Sequence, residues 1–192
     1  MQRICFSRFW LGPLAVGIAV ATSACSDDFG LPPATVENRV DTTTLHALDG
    51  TSILLPSAYD VVVRSPVRTD LGEAFDFAFN ITPQGTAQVL PAGMMGFAPQ
   101  AGIAPMTAEF DAIVEAPDEG YVRDSAVAIQ VGSVFVAQSR SASALCVFLG
   151  ALPRYGKFRV LALDPVERSV QLEALVDVNC GYRSLLPGLP QR

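Results

Sequence analysis

The segments Tyr155-Gly-Lys-Phe-Arg-Val-Leu-Ala-Leu163 and Ser169-Val-Gln-Leu-Glu-Ala-Leu-Val-Asp177, joined through Asp164-Pro165, decide the fold class. In the second segment Val170, Leu172, Ala174 and Val176, continued by Val178, occupy one face, and Ser169, Gln171, Glu173 and Asp177 the other. That period of two is the one a strand imposes. The pair reads as a β-hairpin. Cys146 and Cys180 flank it, so a disulfide across its base is expected, which requires an oxidising compartment.

The N-terminus points to export independently of the cysteines. Arg3 and Arg8 precede an apolar run of twelve residues, Phe9 to Val20, interrupted by Gly12, Pro13 and Gly17. This is the length of a signal-peptide core and short of the ~20 residues of a membrane-spanning helix. Small residues follow, Ala21-Thr-Ser-Ala24, and then Cys25. Cys5 would be lost with the leader, leaving Cys25, Cys146 and Cys180, an odd number in an exported chain. If Cys146 and Cys180 pair, Cys25 needs a fate of its own.

Ala21-Thr-Ser-Ala-Cys25 resembles the lipobox of bacterial lipoprotein precursors, with Thr22 at the position where that family has an aliphatic residue. The resemblance implies lipidation of Cys25, anchoring at the cell envelope and, with Ser26 after the cysteine, transfer to the outer membrane in a diderm source. The expected organisation is a signal peptide over 1–24, formed as a helix, a lipid-anchored tether over 25–36 and a single β-rich domain over 37–192. The tether expectation rests on Asp27, Asp28, Gly30, Pro32 and Pro33.

Working outward from the hairpin, Phe75, Phe77, Phe79 and Ile81 alternate with Ala74, Asp76, Ala78 and Asn80, which predicts a strand with a buried aromatic face. Pro83-Gln-Gly85 would return it into Thr86–Leu90. Thr42–Leu48 and Ser52–Leu55 around Asp49-Gly50 predict another hairpin, as do Val127–Val131 and Val134–Ser139 around Gly132-Ser133. Ala58–Val63 is a further short apolar run. At most one short helix is expected, near 106–116, where Met106, Phe110, Ile113 and Val114 share a helical face. Strands at this density predict an all-β antiparallel sandwich or barrel-like domain.

Gly132-Ser-Val-Phe-Val136 and Tyr155-Gly-Lys-Phe-Arg-Val160 resemble the C-terminal strands of HmuY-like haem-binding lipoproteins. That family holds haem between two histidines. The single histidine here, His46, lies outside the matching region, so no ligand residue carries over and no cofactor is expected.

Composition and motifs narrow the chemistry. An apolar share of 50% and a charged share of 17% describe a folding chain. Its net charge of −6 deepens to about −8 without the leader, Lys157 is the only lysine and the arginines are scattered. A phosphate-binding surface clusters its cations, so nucleic acid is not an expected partner. No nucleophile elbow, metalloprotease helix or phosphate loop occurs, and His46 alternates with Thr44 and Leu48 as an ordinary strand residue. No catalytic residue and no metal ligand is assigned. Asp118, Glu119 and Asp124 surround a glycine turn and read as a solvated acidic turn.

Residues 91–106 combine absent periodicity with Met94, Met95, Phe97, Ile103 and Met106. Methionine-rich surfaces repack around varied apolar partners. The expected function is a non-enzymatic envelope lipoprotein, attached to the membrane through Cys25, that binds or scaffolds an unspecified partner. An alternative is capture of a small apolar ligand by the 91–106 loop through Met94, Met95, Phe97 and Met106. A hydrolase built on two carboxylates is a third class.

Overall fold

The computed structural model describes residues 31, 33–141 and 152–191. Among them are ten strands: β1 (Val40–His46), β2 (Ala58–Asp60), β3 (Ser65–Val67), β4 (Phe77–Ile81), β5 (Ala87–Pro91), β6 (Gly102–Met106), β7 (Val127–Ala128), β8 (Val134–Gln138), β9 (Tyr155–Asp164) and β10 (Ser169–Asp177). One antiparallel sheet has the order β1-β10-β9-β8-β6 and the other β3-β2-β4-β5-β7. The chain is an all-β sandwich.

The β9–β10 hairpin forms the centre of the first sheet, with Tyr155 opposite Asp177 and Asp164 opposite Ser169. The register shifts by one between Gln171 and Leu172, so that Leu161 is an extra residue on β9. Such a bulge bends the strand and increases its twist. Val170, Leu172, Ala174 and Val176 face the second sheet and meet Phe77, Phe79 and Ile81 of β4 in the main core. At its middle four rings interlock: Phe135 stacks on Phe158 at 5.1 Å, Phe77 meets both edge-on at 5.6 and 5.1 Å, and Tyr59 stacks on Phe77 at 5.6 Å. Each such pair contributes about 0.5–1.5 kcal/mol beyond its burial.

The outer face of the first sheet is covered rather than solvated. Phe110, Ile113 and Ala116 from the connection after β6, with Leu185 near the C-terminus, pack on Ala104, Val134, Val136, Tyr155 and Leu175. Lys157 is buried under this cover. Its Nζ donates to the carbonyls of Phe110 at 2.8 Å and Ile113 at 3.0 Å and lies 4.5 Å from the Phe110 ring. The lysine ties the cover to the sheet.

Three local expectations need correction. Ser52–Leu55 is a turn, not a strand: the Leu54 amide donates to the Ser52 hydroxyl and the Leu55 amide to the Ser52 carbonyl, and β1 pairs with β10 instead. Local serine bonding competes here with a ladder. Gly132-Ser133 does form a turn, with Gly132 at φ +87°, but it carries the chain from one sheet to the other. The Ile129 amide bonds to Ala87 in the second sheet and the Gly132 amide to Val160 in the first. Residues 91–106 are not irregular throughout, since they include a 3-10 turn, Ala92–Met95, and all of β6. In the 106–116 region the helical element is the 3-10 turn Phe110–Ala112, followed by an isolated bridge from Glu115 to Ser184.

The segment expected as a signal peptide, Cys25 and Cys146 lie outside the described residues. The last residues of the expected tether are held against the sandwich: Thr35 and Val36 donate their amides to Oδ1 of Asn179 at 2.9 and 3.1 Å.

Candidate functional site: an aromatic cleft beside the second sheet

Two glycine-ended turns build a cleft at the Phe75 end of β4. The 3-10 turn Thr69–Leu71 stops at Gly72, whose φ of +69° favours a residue without Cβ, and the chain then runs through Glu73 and Ala74 into Phe75. On the other side β5 continues into Ala92–Met95, which ends at Gly96 with φ +82°. The Phe97 amide then donates to the Ala92 carbonyl at 2.9 Å, and the Ala92 amide to the Asp76 carbonyl at 2.9 Å. These bonds place Phe97 over Phe75, ring centroids 5.6 Å apart and tilted by 58°.

Phe75 is buried, whereas Phe97 keeps 56% of its surface exposed. Beside the ring pair opens a cleft of about 250 Å³ whose walls include Thr69, Glu73, Phe75, Phe97 and Ala98. Ala98 sits at φ +28°, an uncommon conformation for a residue with a side chain. Just outside, Arg68 grips Asp70 with two bonds, at 3.0 and 2.6 Å, and holds that carboxyl below its ordinary range. Glu73 has no ion-pair partner among the described residues. The cleft therefore offers apolar walls and one exposed carboxylate without an ion-pair partner among the described residues.

The four residues expected to contact a ligand do not gather at one place. Met94 is exposed on the Ala92–Met95 turn, and Met95 packs half-buried against a small cluster of Phe75, Ala58, Ala78, Ala92 and Ala101. Phe97 lines the cleft. Met106 ends β6 and packs in the separate cluster of Phe110 and Leu185. Sequence reasoning missed Glu73 and assigned Phe75 wholly to the core. Its position at the first step of the aromatic alternation, where the core ends, was the available signal.

A second polar feature ties the two sheets together. Arg140 donates from NH1 to Asp60 Oδ1 at 3.2 Å and Asp76 Oδ2 at 3.1 Å, and from NH2 to Asp60 Oδ2 at 2.8 Å. Asp76 also accepts the Arg140 amide at 2.7 Å and the Val61 amide at 2.8 Å. Burial pushes the Asp76 carboxyl up to about 6, against the opposing pull of the Arg140 amide and charge. Beside it, Arg154 donates to the Val62 carbonyl and its amide to the Ser139 hydroxyl at 2.8 Å. Both carboxylates thus face a cation held in place by several bonds.

The remaining candidates are dispersed. His46 ends β1 opposite Ser169. Asp118 pairs with Arg183, and no described group of three His, Cys, Asp or Glu side chains is arranged to hold a metal. Cys180 follows Asn179 and borders a groove of about 680 Å³ with Val36, Val62, Val63 and Arg154. Comparisons with protein families, with characterised proteins and with solved structures return no match.

Proposed function

We propose that this protein is an exported, lipid-anchored and non-enzymatic β-sandwich of the cell envelope that binds or scaffolds a partner. The observation that carries this is the succession of Arg3 and Arg8, the twelve-residue apolar run and the small residues before Cys25. The clamp of Asn179 on Thr35 and Val36 adds support, because it fixes the sandwich ten residues after Cys25. A chain of that length spans at most ~36 Å, which would hold the body close to the lipid surface. Several acyl chains at ~0.8 kcal/mol per buried methylene anchor a protein without a transmembrane helix.

Mass spectrometry of the mature N-terminus tests the anchor. Acylated Cys25 is the expected terminus, and an intact leader or an unmodified Cys25 would overturn the proposal.

The Cys146–Cys180 bridge belongs to the same proposal. Cys180 comes three residues after Asp177, which pairs with Tyr155, and Cys146 comes nine residues before Tyr155. The two thiols are thus within chain reach of the same end of the hairpin. An exported location supplies the oxidising conditions.

Capture of a small apolar ligand is a second reading, favoured by the cleft that Phe75 and Phe97 line. Its volume approaches the ~300 Å³ at the lower end of small-molecule sites, and it holds a largely exposed aromatic ring above a buried one. An exposed phenylalanine forgoes the free energy of burial and recovers part of it on contact with an apolar group.

A further inference from the structure

We infer that the Phe75–Phe97 cleft takes an organic cation, an aryl or alkyl ammonium ion of about ten heavy atoms, rather than a neutral or anionic ligand. This rests on the capture reading and adds the ligand's charge to it. Three features of the cleft point the same way. Phe97 lines the cleft and is more than half exposed, and the face of an aromatic ring attracts a cation within about 6 Å of its centroid. Glu73 lines the same cleft and has no ion-pair partner among the described residues. The nearest arginine in sequence, Arg68, is taken up by Asp70 and does not line the cleft.

Size and polarity narrow the ligand class further. A cleft of about 250 Å³ accommodates one ring or a short alkyl chain with its ammonium head, and excludes a lipid or a folded peptide segment. Thr69 contributes one hydroxyl, and Gly72, Ala74 and Ala98 contribute no polar side chain, so the side chains of the walls include no cation for an anion to pair with. A quaternary head needs none, being held by ring faces and a carboxylate. The apolar remainder of the ligand lies against Phe75 and Ala98.

The test titrates the full chain, with its alanine methyls isotopically labelled, using benzyltrimethylammonium, its neutral isostere neopentylbenzene and the anion phenylacetate. The cation should shift the methyl resonances of Ala74 and Ala98 and bind roughly fivefold or more tightly than the neutral isostere, as a ring–cation contact predicts. Phenylacetate should bind more weakly than either. Glu73→Gln should lower affinity for the cation but not for neopentylbenzene, and added salt should have the same selective effect. Phe97→Leu keeps an apolar wall without the ring face, so it should reduce the preference for the cation, abolish it when combined with Glu73→Gln, and retain the neutral compound. Neopentylbenzene binding as tightly as the cation would overturn the inference on charge and leave apolar capture standing. Binding of neither compound to the folded chain would remove both.

Discussion

Asp76 retains only 1% of its side-chain surface and is faced by two backbone amides and the Arg140 guanidinium. Burial nevertheless dominates and raises its carboxyl to about 6. The folded chain therefore holds this proton more tightly than the unfolded chain, whose aspartates titrate near 4. The linked contribution to stability is fully present below pH about 4 and is lost as the pH rises through about 6. Two pH units of difference correspond to roughly 3 kcal/mol, an upper figure for one carboxylate. Asp76→Asn cannot titrate, so the unfolding free energy of the wild type relative to this variant should fall between pH 4 and pH 7. Urea unfolding at both pH values measures this, and the Asp76 carboxyl carbon resonance should have its midpoint near 6. A midpoint below 4.5 would show that the hydrogen bonds outweigh burial.

On the scale of elements, β9 and β10 were legible because everything that defines them is local. Both strand segments, the β10 alternation and the intervening Asp164-Pro165 turn lie within 23 residues, and β4 and β5 are likewise local. The partner of β1 was not legible, since β10 lies more than 120 residues further on and no local pattern encodes the pairing. Residues 127–131 and Val134–Gln138 alternate as two strands of a hairpin would, yet their ladders belong to different sheets, β7 pairing with β5 and β8 with β6 and β9. The cleft divides the same way: Phe97 stood out within an aperiodic apolar stretch, whereas Glu73 and Phe75 reach it from a separate connection. Close packing also hides from the sequence. A Cβ at Gly156 would stand 2.7 Å from Cγ2 of Val176 and 3.1 Å from the Phe158 ring. Gly156→Ala should therefore destabilise by about 1–3 kcal/mol, the usual cost of overpacking. Val176→Ala removes the obstructing methyls, so the two substitutions together should cost less than the sum of each alone in urea unfolding. Strict additivity would place the strain elsewhere.

For the molecule as a whole, the two sheets meet through the Tyr59–Phe77–Phe135–Phe158 cluster in the middle and through Asp60, Asp76 and Arg140 at one end. Arg154, beside that polar tie, begins the return into β9, and the Asn179 clamp on Thr35 and Val36 follows β10. The proposed Cys146–Cys180 bridge would close this same end. Its benefit is exerted mainly on the unfolded chain: closing about 34 residues removes conformational freedom equivalent to about 3–4 kcal/mol. For a domain stable by ~5–15 kcal/mol such a contribution would be a sizeable share. Cys146→Ser should free one thiol, at Cys180, and lower Tm by several degrees, with the spectrum of the folded state retained because Cys180 belongs to none of the described core clusters. Thiol titration of the denatured wild type and variant, alongside thermal unfolding with and without reductant, separates the possibilities. If reductant lowers the wild-type Tm to that of the variant, the bridge braces the whole sandwich. If the variant exposes no additional thiol and melts like the wild type, the hairpin is held by its ladder and the aromatic core alone.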